Sequence, residues 1–274
     1  MDLPPLPQTF HRLAALHPRF QPLVLTQPDD GPGGWYALAD LAGDAQAQLG
    51  IILERAVARI APQDRKTALS QWFTDSIYGL MLGPFGSYLL AARIPDLLPE
   101  HTWVRFDTGG KLAGVAWRSP VFYALPDDPH AGHPECQVVA SQAALREQLR
   151  EQMIAQFSPF IEAIRQQSSF GRPRMWALAA DYTAKAFLWV GKQLGCEAEA
   201  VRESSAFAAA ATPLYRKRAF IEVEQDGVTG YMVDRIACCH KHKIKNRCSS
   251  CPDRSRQERI EIILSGLDKT PAAG

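Results

Sequence analysis

Residues 76–92 read Ser-Ile-Tyr-Gly-Leu-Met-Leu-Gly-Pro-Phe-Gly-Ser-Tyr-Leu-Leu-Ala-Ala, the longest stretch of the chain without a charge. Its 17 residues fall short of the roughly 20 that a membrane-spanning helix needs, and Gly83-Pro84-Phe85-Gly86 interrupts it. The stretch therefore predicts two core helix pieces with a break between them, and no transmembrane segment. On its N-terminal side, Leu69, Trp72, Phe73, Ile77 and Leu80 recur at helical spacing from a start near Asp64, with Gly83-Pro84 kinking or ending that helix. A further piece is expected from Tyr88 to Ile94. Earlier still, Leu49, Ile52, Leu53, Ala56, Val57 and Ile60 mark a helix within 41–60 that Pro62 stops. Residues 1–40, rich in Pro and Gly through Gly31-Pro32-Gly33-Gly34, read as an irregular arm with short helices.

On the C-terminal side the period changes. Trp103, Val104, Phe106 and then Leu112, Val115, Trp117 flank Asp107-Thr108-Gly109-Gly110, the pattern of a hairpin. Ser141 is a good N-cap for a long helix carrying Leu145, Leu149, Met153, Ile154 and Phe157, with Pro159 allowing a new start. After Gly171-Arg172-Pro173, residues 175–194 form another helix, and an Ala-rich stretch ends at Pro213. Phe220, Ile221, Val223, the turn Asp226-Gly227, and Val228, Tyr231, Val233 predict a second hairpin; a short helix over 256–267 follows and the tail TPAAG reads as loose. The chain thus divides into an arm (1–40), a helical α+β body (41–235) and a C-terminal segment with its closing helix (236–267).

Apolar residues make up 46% of the 274-residue chain, which excludes a disordered or collagen-like polymer. Thirty Lys and Arg against 29 Asp and Glu leave a net charge of +1, so general nucleic-acid binding is not expected. The N-terminal MDLPPLPQTF has neither a basic start nor an apolar h-region; a secretory signal is not expected, and the cytoplasm is the expected compartment.

Of six cysteines, Cys136 and Cys196 stand alone, whereas Cys238, Cys239, Cys248 and Cys251 fall within fourteen residues. In a reducing compartment such a cluster points to a metal site or redox chemistry rather than disulfides. Cys248-x-x-Cys251 is a chelating turn that suits iron–sulfur and zinc sites equally. The adjacent pair discriminates. Structural zinc uses two chelating turns, while neighbours in extended chain point to opposite faces and reach two irons more easily than one tetrahedral zinc. The spacing favours an iron–sulfur cluster over zinc, with uncommitted thiols as the third reading. His240 and His242 could each replace a thiolate, but four cysteines complete a ligand set and solvated histidines are the plainer reading. Lys241, Lys243, Lys245 and Arg247 make the intervening loop basic; around a cluster they would favour the reduced form and attract an anionic partner.

With these residues in view, the chain resembles the FhuF-type ferric siderophore reductases. The likeness lies in the segment from Asp234-Arg235-Ile236-Ala237-Cys238-Cys239 to Cys248-Ser249-Ser250-Cys251-Pro252. It extends to Leu69-Ser70-Gln71-Trp72 with the apolar helix up to Pro95, and to Phe157-Ser158-Pro159-Phe160-Ile161-Glu162-Ala163 followed by Met175-Trp176-Ala177-Leu178-Ala179-Ala180. It covers about residues 64–252. The eight residues between the cysteine pairs are fewer than is usual there, which suggests a divergent branch. The resemblance implies that Cys238, Cys239, Cys248 and Cys251 hold a 2Fe–2S cluster. It also implies one-electron reduction of siderophore-bound Fe(III), hydroxamate complexes being the favoured substrates. The expected fold is then α+β, predominantly helical, with small β-hairpins and a C-terminal iron–sulfur loop.

No Gly-x-Gly-x-x-Gly turn or phosphate-cradling loop is evident, so a separate electron donor such as a ferredoxin or flavin reductase is expected. His130-x-x-His133-x-x-Cys136 has metal-ligand spacing but lies in a Pro- and Gly-rich loop. The six tryptophans read as core, and Asp127-Asp128 as loop solvation. Two rival functions remain: a zinc-stapled binding module that uses the basic loop, and an iron–sulfur redox sensor.

Overall fold

The structure, a computed structural model, describes residues 4–20 and 34–267 together with the backbone of 23–24. Gly31–Gly33 and the tail TPAAG lie outside the described residues. The fold is α+β and predominantly helical. Helices α1 (Pro5–Leu16), α2 (Leu38–Ala42), α3 (Gln46–Ile60), α4 (Arg65–Ala91), α5 (Gln142–Gln166), α6 (Arg172–Leu194), α7 (Glu197–Ala208) and α8 (Arg256–Leu267) carry it. No helix among the described residues is long and apolar enough to cross a membrane.

Strands β1 (Leu23–Val24), β2 (Trp35–Ala37), β4 (Thr102–Phe106) and β5 (Leu112–Trp117) form one sheet in the order β1-β5-β4-β2. Strands β3 (Ile94–Pro95), β6 (Phe122–Ala124) and β7 (Cys136–Val138) form a second. The expected hairpins are both present. β4 and β5 pair antiparallel with Val104 opposite Val115, and β8 (Phe220–Gln225) pairs with β9 (Val228–Val233) with Phe220 opposite Val233. Positive φ at both Asp226 and Gly227 gives the second hairpin a tight two-residue turn that follows the strand twist.

Helix α4 is the axis of the molecule. It runs unbroken through Gly83-Pro84, where two pieces were expected. A proline removes one helical hydrogen bond and clashes with the preceding turn, but here packing on every side outweighs that local cost. Ile77, Leu80, Met81, Phe85 and Tyr88 are all at most 2% exposed, and Phe85 stacks on Phe187 of α6 at 4.2 Å. Pro159 likewise sits inside a continuous α5, whose N-cap Ser141 accepts the Ala144 N–H as expected. Within the expected arm, α1 buries Leu6, Phe10 and Leu13 in the same core, and Gly86 lets α1 approach α4 closely.

Two further residues bear on the sequence reading, Asp128 against it and Trp117 in agreement with it. Asp128 is half-buried rather than solvated, its side chain nearly covered and both carboxylate oxygens bound by Arg93 at 2.7 and 2.8 Å. Burial alone would raise that carboxyl; the Arg93 bonds outweigh it and hold the group below its ordinary range. Trp117 is fully buried and stacks on Phe10, and so belongs to the core.

The turn of the first hairpin is fixed from below. Trp72 Nε1 donates to the Gly110 carbonyl at 2.6 Å, and Gly110 adopts φ +71° with the Ile52 carbonyl 2.4 Å from where a Cβ would stand. A side chain there meets both left-handed strain and a backbone clash. Gly110→Ala should therefore cost about 2 kcal/mol or more in urea unfolding. Gly132→Ala, with open space around it, should be near neutral.

Candidate metal centre

Strand β9 runs straight into the cysteine segment, and residues 234–239 have no regular secondary structure to satisfy their peptides. Side chains of the body do so instead. Arg174, Asp181 and Lys185 of α6, seven and four residues apart, lie along one side of that helix, and Gln71 projects from α4. Asp181, with no solvent exposure, accepts the Ile236 N–H at 3.0 Å and the Ala237 N–H at 2.9 Å. The same carboxylate pairs with Arg216 and lies 3.7 Å from Arg235. Arg216 donates to the Asp234 carbonyl, Arg174 to that of Cys238 and Gln71 to that of Cys239. Arg235 closes on its own loop through the Ala237 carbonyl at 2.9 Å. Asp234 is held in turn by Arg259 of α8 at 2.7 Å.

The four cysteines meet this scaffold two by two, although no three of their sulfurs lie within 4.8 Å of one another. Arg235 reaches one sulfur of each pair, Cys239 Sγ at 3.6 Å and Cys248 Sγ at 3.7 Å. Asp253 touches the other two, Cys238 Sγ at 3.7 Å and Cys251 Sγ at 3.8 Å. The adjacent cysteines thus face different partners, as neighbours in extended backbone must. Their protonation differs accordingly. Burial raises the Cys238 and Cys251 thiols. Burial also pushes on Cys239, but Arg235, the Lys241 N–H and Gln71 outweigh it and bring that thiol below its ordinary value. Arg235 is buried, and its Nε has no hydrogen-bond partner. Its Nη1 faces the two sulfurs, where negative charge on sulfur would be favoured.

The loop between the pairs is partly tied down. His240 takes a left-handed φ of 59°, and its Nε2 lies 2.7 Å from Arg174. Lys243 pairs at 3.3 Å with Asp64, the N-cap of α4, so it is not a free basic residue. Hydrogen bonds from the Thr67 N–H and hydroxyl, helped by Lys243, lower the Asp64 carboxyl to about 2. Lys245 and Arg247 are exposed.

One grouping went unseen in the sequence. Ligand atoms of Cys238, His242 and Asp253 lie within 4.8 Å of one another. Asp253 stands two residues past Cys251, outside the motif itself, and nothing but that proximity signalled it. The spacing His130-x-x-His133-x-x-Cys136 yields no such grouping among the described residues; His133 turns to Glu135 instead. Cys136 and Cys196 are half-buried free thiols, both raised by burial.

No protein-family model matches the chain, and no curated protein matches it in sequence.

The geometry makes Asp181 the keystone of the site. Asp181→Asn preserves its shape but leaves Arg216 and Arg235 buried against a neutral group. It should cost about 3–5 kcal/mol in denaturant unfolding and speed reaction of the cysteines with a thiol reagent. Unchanged stability together with unchanged thiol reactivity would show that the carboxylate does not hold the loop.

Proposed function

We propose that the protein is a cytoplasmic ferric siderophore reductase that carries a 2Fe–2S cluster on Cys238, Cys239, Cys248 and Cys251. The observation that carries this reading is the convergence of two cysteine pairs around Arg235, which donates to one sulfur of each. The donor set fits the cluster: four thiols, a buried guanidinium aimed at two of them, and neighbouring cysteines turned toward different partners. The resemblance to FhuF-type reductases, which rests on the quoted residues alone, points the same way.

When bound, the cluster would supply single electrons to Fe(III) held in a siderophore. Hard Fe(III) binds hydroxamate or catecholate oxygens far more tightly than Fe(II) does, so one electron loosens the iron. The chain's own part is to hold four sulfurs in place, to keep cations beside them, and to bring the ferric complex alongside. Arg235 stabilises negative charge on Cys239 and also contacts Cys248. Arg174, Gln71 and Asp181 fix the peptides that carry Cys238 and Cys239. The electron comes from a separate donor such as a ferredoxin or flavin reductase; an acidic one suits the exposed Lys245 and Arg247.

The Cys238–His242–Asp253 grouping favours a second reading, a zinc-stapled binding module, because a mixed Cys/His/carboxylate set is one zinc accepts. Anaerobic purification separates the two. The first reading expects red-brown protein with iron and acid-labile sulfide in equal amounts, and visible absorption that bleaches on reduction. A colourless zinc protein supports the second. Cys239→Ser and Cys248→Ser should each remove most of the absorption. Reduced protein should be reoxidised by a ferric siderophore, with ferrous iron captured by a chelator. Indifference to every ferric complex would point to a sensor instead.

A further inference from the structure

Beside the cysteine segment lies an open cleft of about 560 Å³, within the size range of small-molecule sites. Arg19, Lys111, Lys185 and Lys241 line it, with Asp75 as its one carboxylate and Tyr78 as its aromatic wall. None of the four cations has an ion-pair partner within 4.0 Å among the described residues. The lysines and arginines of the same molecule that are paired, such as Arg93, Arg146 and Arg259, show what satisfaction looks like here. Lys185 is solvent-exposed yet crowded. Burial, with Arg235 and Lys241 nearby, lowers its pKa, while its ammonium lies 4.8 Å from the centres of both the Tyr78 and Tyr182 rings. Burial pushes the Tyr78 hydroxyl up to about 12, so it remains a neutral donor. Four cations facing one recess, with a single carboxylate among them, raise the local potential and draw an anion into it.

The cleft also reaches the redox segment. Lys241 stands two residues after Cys239. Lys185 and Tyr78 form a wall shared with a second cleft of about 610 Å³, which extends to Ser249 and Ser250 of the Cys-x-x-Cys turn. A ligand seated against Lys185 and Lys241 therefore lies next to both halves of the cysteine motif.

We propose that this cleft seats the iron complex and selects it by charge: its ligand is a net-anionic ferric chelate with catecholate or hydroxycarboxylate donors. Three singly charged hydroxamates merely neutralise Fe(III), whereas doubly charged catecholates or citrate-like ligands leave an excess of negative charge. The inference rests on the reductase reading and departs from the hydroxamate preference that the resemblance implied.

Gallium(III) complexes test it on the intact cluster-loaded protein, because gallium is not reduced and binding is read apart from electron transfer. Calorimetric titration should show a gallium tris-catecholate binding at least about tenfold more tightly than a neutral gallium tris-hydroxamate of similar size. That difference should shrink as salt is raised. Gallium citrate forms a third arm that separates the two anionic donor classes. Lys185→Gln and Lys111→Gln should each weaken anionic binding about tenfold and leave the neutral complex unaffected. Arg202→Gln, the same charge change on an exposed part of α7, should leave both unaffected. Equal affinity for both charges overturns the inference, as does anionic binding indifferent to both cleft variants. Reduction of ferric complexes alongside such indifference would leave the reductase reading intact. Charge-selective binding without any reduction would keep the cleft assignment and overturn the reductase reading.

Discussion

The buried carboxylate of Asp181 is the constraint on which the cysteine segment depends. A lone charge with no solvent exposure is untenable, and Asp181 is matched by Arg216, Arg235 and the N–H groups of Ile236 and Ala237. Two guanidiniums face one carboxylate, so the interior carries an excess of positive charge. Arg235 directs that excess at Cys239 and Cys248. The Cys239 thiol is thereby disposed toward its anionic form, which is the form that binds metal. Removing the carboxylate would strand both arginines, so the fold and the chemistry share one electrostatic anchor.

The second consequence is rigidity without secondary structure. Peptides between Asp234 and Cys239 are held by Arg216, Asp181, Arg235, Arg174 and Gln71, drawn from two long helices and from the loop itself. An irregular loop supported this way behaves like part of the scaffold, and ligand atoms mounted on it keep their positions through changes of charge. Long helices suit that task. α4 and α6 are locked to each other by the Phe85–Phe187 stack and so present Gln71, Arg174 and Asp181 at fixed separations.

What the sequence displayed and what it hid follow from range. Helices α3, α5, α6 and α8 and both hairpins were legible because their periodicities and caps are local, as at Ser141 and Asp226-Gly227. The Gly83-Pro84 break was misread because its cost is local while the compensation, burial of Phe85 and Tyr88 against α6, is not. Strands β3, β6 and β7, only two or three residues long, leave no periodic trace. In the site, the four cysteines announced themselves by clustering. Asp181, Gln71 and Arg174 lie some 55 to 170 residues from the peptides they hold and sit in helices where a polar residue reads as surface. Lys243 counted only as part of a basic loop, and its pairing with Asp64, 179 residues away, was hidden for the same reason.

The placement of charge bears on the direction of the proposed reaction. Net charge is only +1, yet Arg19, Lys111, Lys185, Lys241 and Arg235 gather on one side of the cysteine segment. Cations beside a redox group favour its more negative state, so those around the sulfurs work against giving an electron away. The proposed seating of the chelate in the cleft would offset this. Reduction makes any ferric chelate one unit more negative, and a recess lined by four cations and one carboxylate stabilises that extra charge. The two effects oppose each other across a shared wall at Lys185. The driving force is the difference between the two potentials, and a cleft that holds the reduced complex more strongly than the oxidised one would raise the potential of the bound chelate. In the proposed reaction, ferrous iron, weakly bound by oxygen donors, would leave the complex once formed and so prevent the electron from returning.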